Sequence, residues 1–151
     1  MPCLWLQHNN NQLFMNVAIL SQDSFDAVMA GNDPEEPLMY KALVDTGASS
    51  TCITKKVADD LGLSPIGQVP IMGVSGKSYH NNYLFYVGFT IQVVDPENPS
   101  QNTMRMHMAN KAIQGVELAL QGDQFDVLLG MDILSTGSLA IEGNGTYSFS
   151  F

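Results

Sequence analysis

A carboxylate in a tight turn is the first feature of this chain that could do chemistry. Residues 43–50 read Leu-Val-Asp-Thr-Gly-Ala-Ser-Ser, so an apolar run leads Asp45 into a turn of Thr46, Gly47 and small residues. A positioned carboxylate can take a proton from water and pass it on, which is general acid–base catalysis. The Asp-Thr-Gly tripeptide occurs once in the 151 residues, so one copy of the chain supplies one such carboxylate.

A pair of carboxylates could hydrolyse a peptide bond without a metal or a covalent nucleophile. The reaction needs an activated water and an acid for the leaving nitrogen. Two adjacent carboxylates supply both when they share one proton, because close like charges do not both ionise and their pKa values separate. The pair then titrates as one unit. The second member would be Asp45 of another copy of the chain.

Asp132 is the other candidate for the missing carboxylate, and its position argues against that role. It follows Gly130 at the start of a predicted short helix. An aspartate there typically accepts hydrogen bonds from free backbone N–H groups and interacts well with the helix dipole. We therefore interpret Asp132 as a structural residue.

Other kinds of reactive site find little support in the sequence. The histidines are scattered, at His8, His80 and His107. They form no metal-binding pattern, so we expect no metal and no cofactor. Ser49 and Ser50 lack the glycine-flanked context of a serine nucleophile. Cys3 and Cys52 form no disulfide framework, and we interpret Cys52 as a small buried hydrophobe.

Composition limits the classes of partner. The formal net charge is -9, which disfavours nucleic acid and anionic membrane surfaces. With 45% hydrophobic residues the chain is not of the disordered type. Its length predicts one domain, residues 1–151. No apolar run approaches the roughly 20 residues that span a bilayer, and the first residues do not resemble a signal peptide. We therefore expect a cytoplasmic protein.

Hydrophobic patterning predicts mostly strands and one or two short helices. The predicted strands cover residues 13–20, 38–44, 49–53, 69–79 as a hairpin, 83–94, 103–110, 125–129, 139–141 and 147–151. A helix is predicted over 54–62, with Thr54 as its N-cap and Gly62 at its end. A second short helix should follow Gly130. The polar segment 21–37 is predicted to be a loop or hairpin.

Two of these strand segments carry further expectations. Gly73 and Gly76 lie at the tip of the 69–79 hairpin, where their freedom of backbone angles would permit close approach to a peptide. Taken by itself, this hairpin is equally consistent with a lid and with an ordinary β-turn. In the 103–110 strand, alternation predicts that the methionines share one face and lie in the core, namely Met104, Met106 and Met108.

Three segments in order resemble the retropepsin-type aspartic proteases, the single-lobed class of retroviruses and of related bacterial and phage-like proteins. They are the Asp-Thr-Gly segment 42–50, the glycine-bearing hairpin 70–76, and the segment 127–134 of apolar strand, glycine and helix. The resemblance extends from about residue 38 onward. It implies an all-β fold, a closed acid-protease barrel with one or two short helices, that forms a symmetric homodimer.

The resemblance also implies roles for individual residues. Asp45 of each copy would be catalytic, the Thr46 hydroxyl would lock the two turns together, and Gly47 would allow the turns to approach. Ala48 gives no hydrogen bond to the carboxylate where a serine would, so a milder pH optimum is expected. The substrate-binding flap would comprise Met72, Gly73, Val74, Ser75 and Gly76. Gly130 and Asp132 would support the catalytic turn.

Two segments depart from the compact viral pattern, the N-terminal extension 1–12 and the insertion 21–37. In the viral dimers the terminal strands of the two copies interleave. Tyr147, Phe149 and Phe151 alternate as an interface strand of that kind would.

The function expected from these features is that of an aspartic endopeptidase, active as a homodimer on extended protein or peptide segments. The alternative is a non-catalytic dimeric β-module that binds a peptide or a partner protein. The intact Asp-Thr-Gly turn counts against that alternative, because a binding module has no need of a strained carboxylate pair. A third possibility is a protease that is active only within a larger assembly or after processing.

Overall fold

The computed structural model describes residues 1–32, 37–98, 100, 103–119 and 124–151. Strands make up 51% of the structure and helices 13%, which confirms the mostly-β part of the expected fold class. The described residues contain three short helices rather than one or two. No helix in this part of the chain has the length and apolar character required to cross a membrane.

The elements have the following bounds. The strands are β1 Cys3–Gln7, β2 Phe14–Leu20, β3 Met39–Val44, β4 Cys52–Thr54, β5 Gly67–Gly73, β6 Gly76–Val93, β7 Thr103–Met108, β8 Ile113–Leu118, β9 Val127–Leu129, β10 Ser138–Ile141 and β11 Thr146–Ser150. The helices are α1 Gln22–Met29, α2 Lys55–Asp60 and α3 Met131–Leu134.

The described residues form two sheets, of which the larger runs in the order β2–β3–β9–β4–β8–β6–β5, and β7 pairs with β6. Strand β6 pairs with β2 as well as with β8, so hydrogen-bonded neighbours lead from β2 around to β6 and back to β2. Strand β9 lies between β3, which it pairs in parallel, and β4, which it pairs antiparallel. This arrangement brings the end of β3 beside the end of β9, with Val44 opposite Leu129.

Large apolar side chains from both sheets form the main core of the described residues. Its largest fully buried members include Phe85 and Phe89 of β6 and Tyr147 and Phe149 of β11. Strand β2 has a nearly continuous buried pattern because it is covered on more than one side. The core therefore supports β3 and β9, the two strands that lead to the Asp45 turn and to α3.

The second sheet has three strands in the order β1–β11–β10, so β11 is the central strand. This corrects the expectation of an interface strand at residues 147–151. Tyr147 and Phe149 are fully buried in the chain's own core, and Phe151 stacks on Phe89 with ring centroids 4.6 Å apart. Both edges of β11 are occupied by strands of the same chain. The extension 1–12 is likewise more than an appended tail, since residues 3–7 form β1.

The insertion 21–37 was expected to be a loop or hairpin, and that expectation is wrong for residues 22–29, which form α1. Ser21 accepts a hydrogen bond from the Ser24 N–H as the N-cap. Phe25 stacks on Tyr86 with centroids 3.8 Å apart, and the Tyr86 hydroxyl donates to Gln22 at 2.7 Å. Packing on β6 therefore outweighs the polar composition of the segment. Residues 33–36 of the insertion lie outside the described residues.

The structure also tests the predictions for the helix 54–62, for the strands and for the methionines of β7. Helix 54–62 is confirmed as α2, although the Thr54 side chain makes no capping hydrogen bond. Strand β8 was not predicted. The core position expected for the methionines holds for Met108, which is 8% exposed, but not for Met104, which is 64% exposed. Met104 lies near the start of β7, opposite Gln92 of β6.

Candidate active site

The backbone of Asp45 continues the parallel pairing of β3 and β9 by one residue. Its N–H donates to the Leu129 carbonyl oxygen at 3.0 Å. The carboxylate therefore leaves the sheet where two buried strands end side by side. This placement fixes Asp45 through the main chain, while its side chain is half-buried and reaches the surface.

The turn that follows bends back on the carboxylate. The Gly47 N–H donates to Asp45 Oδ1 at 2.8 Å, and the Ala48 N–H donates to the Asp45 carbonyl oxygen at 3.2 Å. A Cβ atom at Gly47 would lie 3.1 Å from Asp45 Oδ1, so a side chain there would crowd this contact. Thr46 is exposed and Ala48 is half-buried. The predicted residues of the catalytic turn therefore lie together around Asp45.

Helix α3 holds the far side of the same turn. The Met131 N–H donates to the Ala48 carbonyl oxygen at 2.8 Å, and the Asp132 N–H donates to the Ser49 carbonyl oxygen at 3.2 Å. Free N–H groups at the start of a helix are thereby satisfied by free carbonyl groups of the turn. A Cβ atom at Gly130 would lie 2.6 Å from the Ser50 carbonyl carbon, so only glycine permits this approach.

Asp132 binds the residue that ends the turn. Its two carboxylate oxygens accept from the Thr51 N–H at 3.0 and 2.9 Å, and Oδ1 accepts from the Thr51 hydroxyl at 2.7 Å. The Thr51 hydroxyl oxygen in turn accepts from the Gly130 N–H at 3.0 Å. The predicted contact with its own helix is present as one hydrogen bond from the Ile133 N–H at 2.9 Å. Sequence reasoning missed Thr51, which is fully buried.

The predicted flap is the hairpin of β5 and β6. Its pairing runs from Gly67 opposite Asn82 to Gly73 opposite Gly76, which leaves Val74 and Ser75 at the tip. Gly76 has φ +116°, in the region that favours glycine. The tip extends into solvent, since Val74 is fully exposed and Met72 is 76% exposed. Residues 72–76 are not among those that line the cavity beside Asp45.

That cavity has a volume of about 390 Å³. Asp45 and Thr46 line it together with side chains from the N-terminal turn, from β3 and from the end of β10. The other lining residues are His8, Asn11, Gln12, Leu13, Leu43, Val44 and Ile141. Sequence reasoning assigned no role to the N-terminal members of this set. The run of three asparagines at 9–11 was the available signal, because asparagine favours turns with positive φ.

A larger cavity of about 910 Å³ lies between the end of α1 and strands β6 and β7. Its lining includes Val28, Thr90 and Arg105, and none of the residues predicted to do chemistry. The smaller cavity is therefore the better candidate for a substrate site, because a carboxylate in a defined turn opens into it.

Comparison with protein families supplies the decisive observation. The family model described as "Aspartyl protease" matches residues 32–133, which is more than half of the chain and includes both Asp45 and Asp132. The chain belongs to the aspartyl protease family. The resemblance inferred from the three motifs is thereby confirmed at the level of this family.

Among solved structures, the aspartyl protease chain is similar to the crystal structure of a retropepsin-like aspartic protease from Rickettsia conorii. The two share 20% identity with a TM-score of 0.49, over 97% of this chain and 89% of the other. A comparison with curated proteins finds no match.

Near the aspartyl protease turn, the Cys52 side chain is half-buried, and burial raises the pKa of its thiol. A thiol held neutral is a poor nucleophile, which agrees with the structural interpretation of this residue. Within the described ranges, no three His, Cys, Asp or Glu side chains are grouped so as to hold a metal ion.

Proposed function

We propose that this aspartyl protease is an endopeptidase that works as a symmetric homodimer, with Asp45 of each copy forming the catalytic pair. The observation that carries the proposal is the single Asp-Thr-Gly turn, fixed on one side by Leu129 and on the other by α3. A turn so firmly positioned would present its carboxylate at a constant angle, as catalysis requires. The substrates are extended segments of proteins or peptides.

In the proposed reaction the two carboxylates share one proton. The ionised carboxylate takes a proton from a water molecule, whose oxygen attacks the carbonyl carbon of the scissile bond. The protonated carboxyl stabilises the developing oxyanion by donating to it. A proton then passes from the pair to the leaving nitrogen, the C–N bond breaks, and the products are a carboxylic acid and an amine. No metal or cofactor takes part.

The finer features of the proposed fold have structural support. A closed barrel is supported by the pairing of β6 with both β8 and β2. A homodimer is supported by the single catalytic turn, and a two-fold axis would bring the same turn of each copy together. Thr46 is exposed beside Asp45, so its hydroxyl is free to meet the partner turn.

The flap role of residues 72–76 is supported by the exposure of the hairpin tip. Apolar side chains at Met72 and Val74 are costly to leave in water and would gain contacts by closing over a bound peptide. Closure would also add main-chain hydrogen bonds to an extended substrate and exclude water from the carboxylate pair.

The test compares wild type with Asp45→Asn on a mixed peptide library between about pH 4 and 7, where a carboxylate pair passes through its active form. We expect cleavage by the wild type and a loss of about 10²- to 10⁴-fold or more in the variant. Asp23→Asn is the matched control, because it removes an exposed carboxylate from the first turn of α1. It should cleave like wild type.

Two outcomes would count against the proposal. Equal cleavage by wild type and Asp45→Asn would show that Asp45 is not catalytic. A dimeric wild type that binds peptides from the library and cuts none would favour the non-catalytic β-module.

A further inference from the structure

The turn between β1 and β2 lies against the catalytic turn, and nothing in the proposed reaction uses it. We propose that this N-terminal turn forms one wall of the substrate site. Through Asn11 and Gln12 it selects a substrate side chain, next to the scissile bond, that has an apolar stem and an uncharged hydrogen-bonding end, as glutamine has. The inference rests on the proposed function and names the substrate class for the same site.

The turn has a well-defined geometry. The Asn9 N–H donates to the Gln12 carbonyl oxygen at 3.0 Å, and the Gln12 N–H donates back to Asn9 at 2.8 Å. Asn10 and Asn11 have φ values of 49° and 61°. Two consecutive residues with positive φ are typical of type I′ hairpin turns, and asparagine adopts this conformation more readily than most residues.

Backbone hydrogen bonds hold both ends of the turn. On one side, the His8 N–H donates to the Gly145 carbonyl oxygen at 3.0 Å. On the other, the Val44 N–H donates to the Leu13 carbonyl oxygen at 2.8 Å. Because Val44 directly precedes Asp45, the wall and the catalytic carboxylate are fixed relative to each other through one residue. The backbone of the turn is therefore held in place beside the Asp45 turn.

The lining of the cavity divides by chemistry. Leu13, Leu43 and Ile141 supply an apolar surface, which suits an aliphatic stem. At about 390 Å³ the cavity lies near the lower end of the range for small-molecule sites, a size for one or two side chains rather than a longer segment.

The polar part of the lining favours an uncharged end group. The amides of Asn11 and Gln12 each donate and accept hydrogen bonds, which matches a carboxamide. Among the described residues that line the cavity, Asp45 is the only acid and His8 the only group that can become a cation. An acidic end group would be repelled by Asp45 and by the protein's net charge of -9. A lysine would find no carboxylate there besides the catalytic one.

Such a lining discriminates by leaving its own polar groups without partners when the wrong side chain enters. An apolar side chain of equal length would displace water from Asn11 and Gln12 without replacing its hydrogen bonds. In the homodimer each copy brings one cavity, so the preference should hold on both sides of the scissile bond.

The experiment starts from any peptide that wild type cuts in the library. In that sequence, the residue on each side of the scissile bond is changed in turn to Gln, Met, Glu or Lys. Methionine is the matched apolar residue because its length is close to that of glutamine. We expect kcat/KM for Gln to exceed that for Met by about 3- to 10-fold, the effect of one or two neutral hydrogen bonds.

Three variants test the wall itself. Gln12→Leu and Asn11→Gly each remove an amide from the cavity, and glycine tolerates the positive φ of residue 11. Both should bring the Gln-to-Met ratio of kcat/KM close to one. Asn10→Gly is the control, because Asn10 has the same backbone conformation in the same turn and does not line the cavity. It should keep the wild-type ratio.

A second readout separates this inference from the proposed function. The dissociation constants of the Gln and Met peptides are measured by calorimetry in the Asp45→Asn background, where no cleavage is needed. If wild type cuts peptides and the ratios are the same in wild type, Gln12→Leu and Asn11→Gly, the inference is overturned and the protease remains. If nothing is cut, the proposed function fails, and binding that still prefers Gln through residues 11 and 12 upholds the wall.

Discussion

Asp45 is positioned largely by main-chain groups that belong to residues distant in sequence. Leu129 binds its N–H, and the carbonyl groups of Ala48 and Ser49 in the same turn are bound by the start of α3. The residues behind the turn therefore hold the main chain that carries the carboxylate. Two substitutions there have predictable effects.

Gly130→Ala should destabilise the protein and disturb the catalytic turn together. The new Cβ would lie 2.6 Å from the backbone carbon of Ser50, and a backbone atom cannot move aside without moving the turn. We expect a loss of about 1–3 kcal/mol in the free energy of unfolding and a fall in kcat, measured by urea denaturation and peptide cleavage.

The control for this variant is Gly67→Ala. Gly67 also lacks a positive φ, and a Cβ atom there would meet nothing within 4 Å. Equal stability of the two variants would contradict the close approach seen between Gly130 and the turn.

Thr51→Val should measure how much the contact between the turn and Asp132 contributes to the free energy of unfolding. Valine has nearly the same shape, but it leaves the Gly130 N–H and one Asp132 oxygen without the buried hydroxyl. The cost should be about 1–3 kcal/mol of unfolding free energy, measured by urea denaturation. Thr90→Val is the matched control on β6, where the hydroxyl's hydrogen-bond partner among the described residues is the Met39 sulfur, a weak acceptor, at 3.5 Å. A loss no greater than that of the control would show that the Thr51 hydroxyl contributes little.

At the scale of elements, one end of strand β6 lies in the exposed hairpin and the other end lies in the core. Residues 76–82 pair with β5 in the exposed hairpin, whereas residues 82–93 pair with β8, β2 and β7 around the core. Few buried contacts hold the hairpin, so it should open at low free energy while the inner part of β6 opens only with the whole fold.

Hydrogen exchange in the Asp45→Asn variant would measure this difference. Amides of residues 69–79 should exchange fast in the free protein and gain protection when a substrate peptide binds, because a closing flap donates main-chain hydrogen bonds. Amides of residues 85–89 serve as the internal control and should stay protected throughout. Peptide binding that leaves residues 69–79 as unprotected as before would rule out the flap.

At the scale of the whole molecule, the proposed dimer makes activity depend on association. Specific activity should fall on dilution, and a tenfold excess of Asp45→Asn should lower wild-type activity roughly tenfold, because most wild-type chains would then pair with an inactive partner. The same excess of Asp23→Asn should raise the total activity instead. Sedimentation at the assay concentration provides the independent measure of association. Undiminished activity in the presence of excess Asp45→Asn would mean that one chain is sufficient.

The proposed homodimer should use a surface other than the strand 147–151 that the sequence pattern indicated. Tyr147 and Phe149 lie in the core of their own chain, and β11 has strands of the same chain on both sides. The free edges of this smaller sheet are β1 and β10, and His8 and Ile141 at their ends line the Asp45 cavity. A partner that completes the site should therefore approach from this end of the molecule.

The amino-acid sequence by itself determined the parts of the site that depend on neighbouring residues. An apolar run before Asp45, glycines at a hairpin tip and Gly130 before a short helix are signals that act within a few positions. They sufficed to locate the Asp45 turn, the β5–β6 hairpin and α3. The same local rules failed at α1, where contact with Tyr86 decides between a loop and a helix.

Only the tertiary structure decided which distant residues meet. Thr51 and Asp132 are 81 positions apart, and their contact arises because β9 lies between β3 and β4. The tertiary structure likewise decided that Asn11 and Gln12 lie at the Asp45 cavity and that Tyr147 is buried in the core. Periodicity reports that one face of a strand will be covered, but it does not identify the covering group. For Tyr147 that group is the chain's own core rather than a second copy.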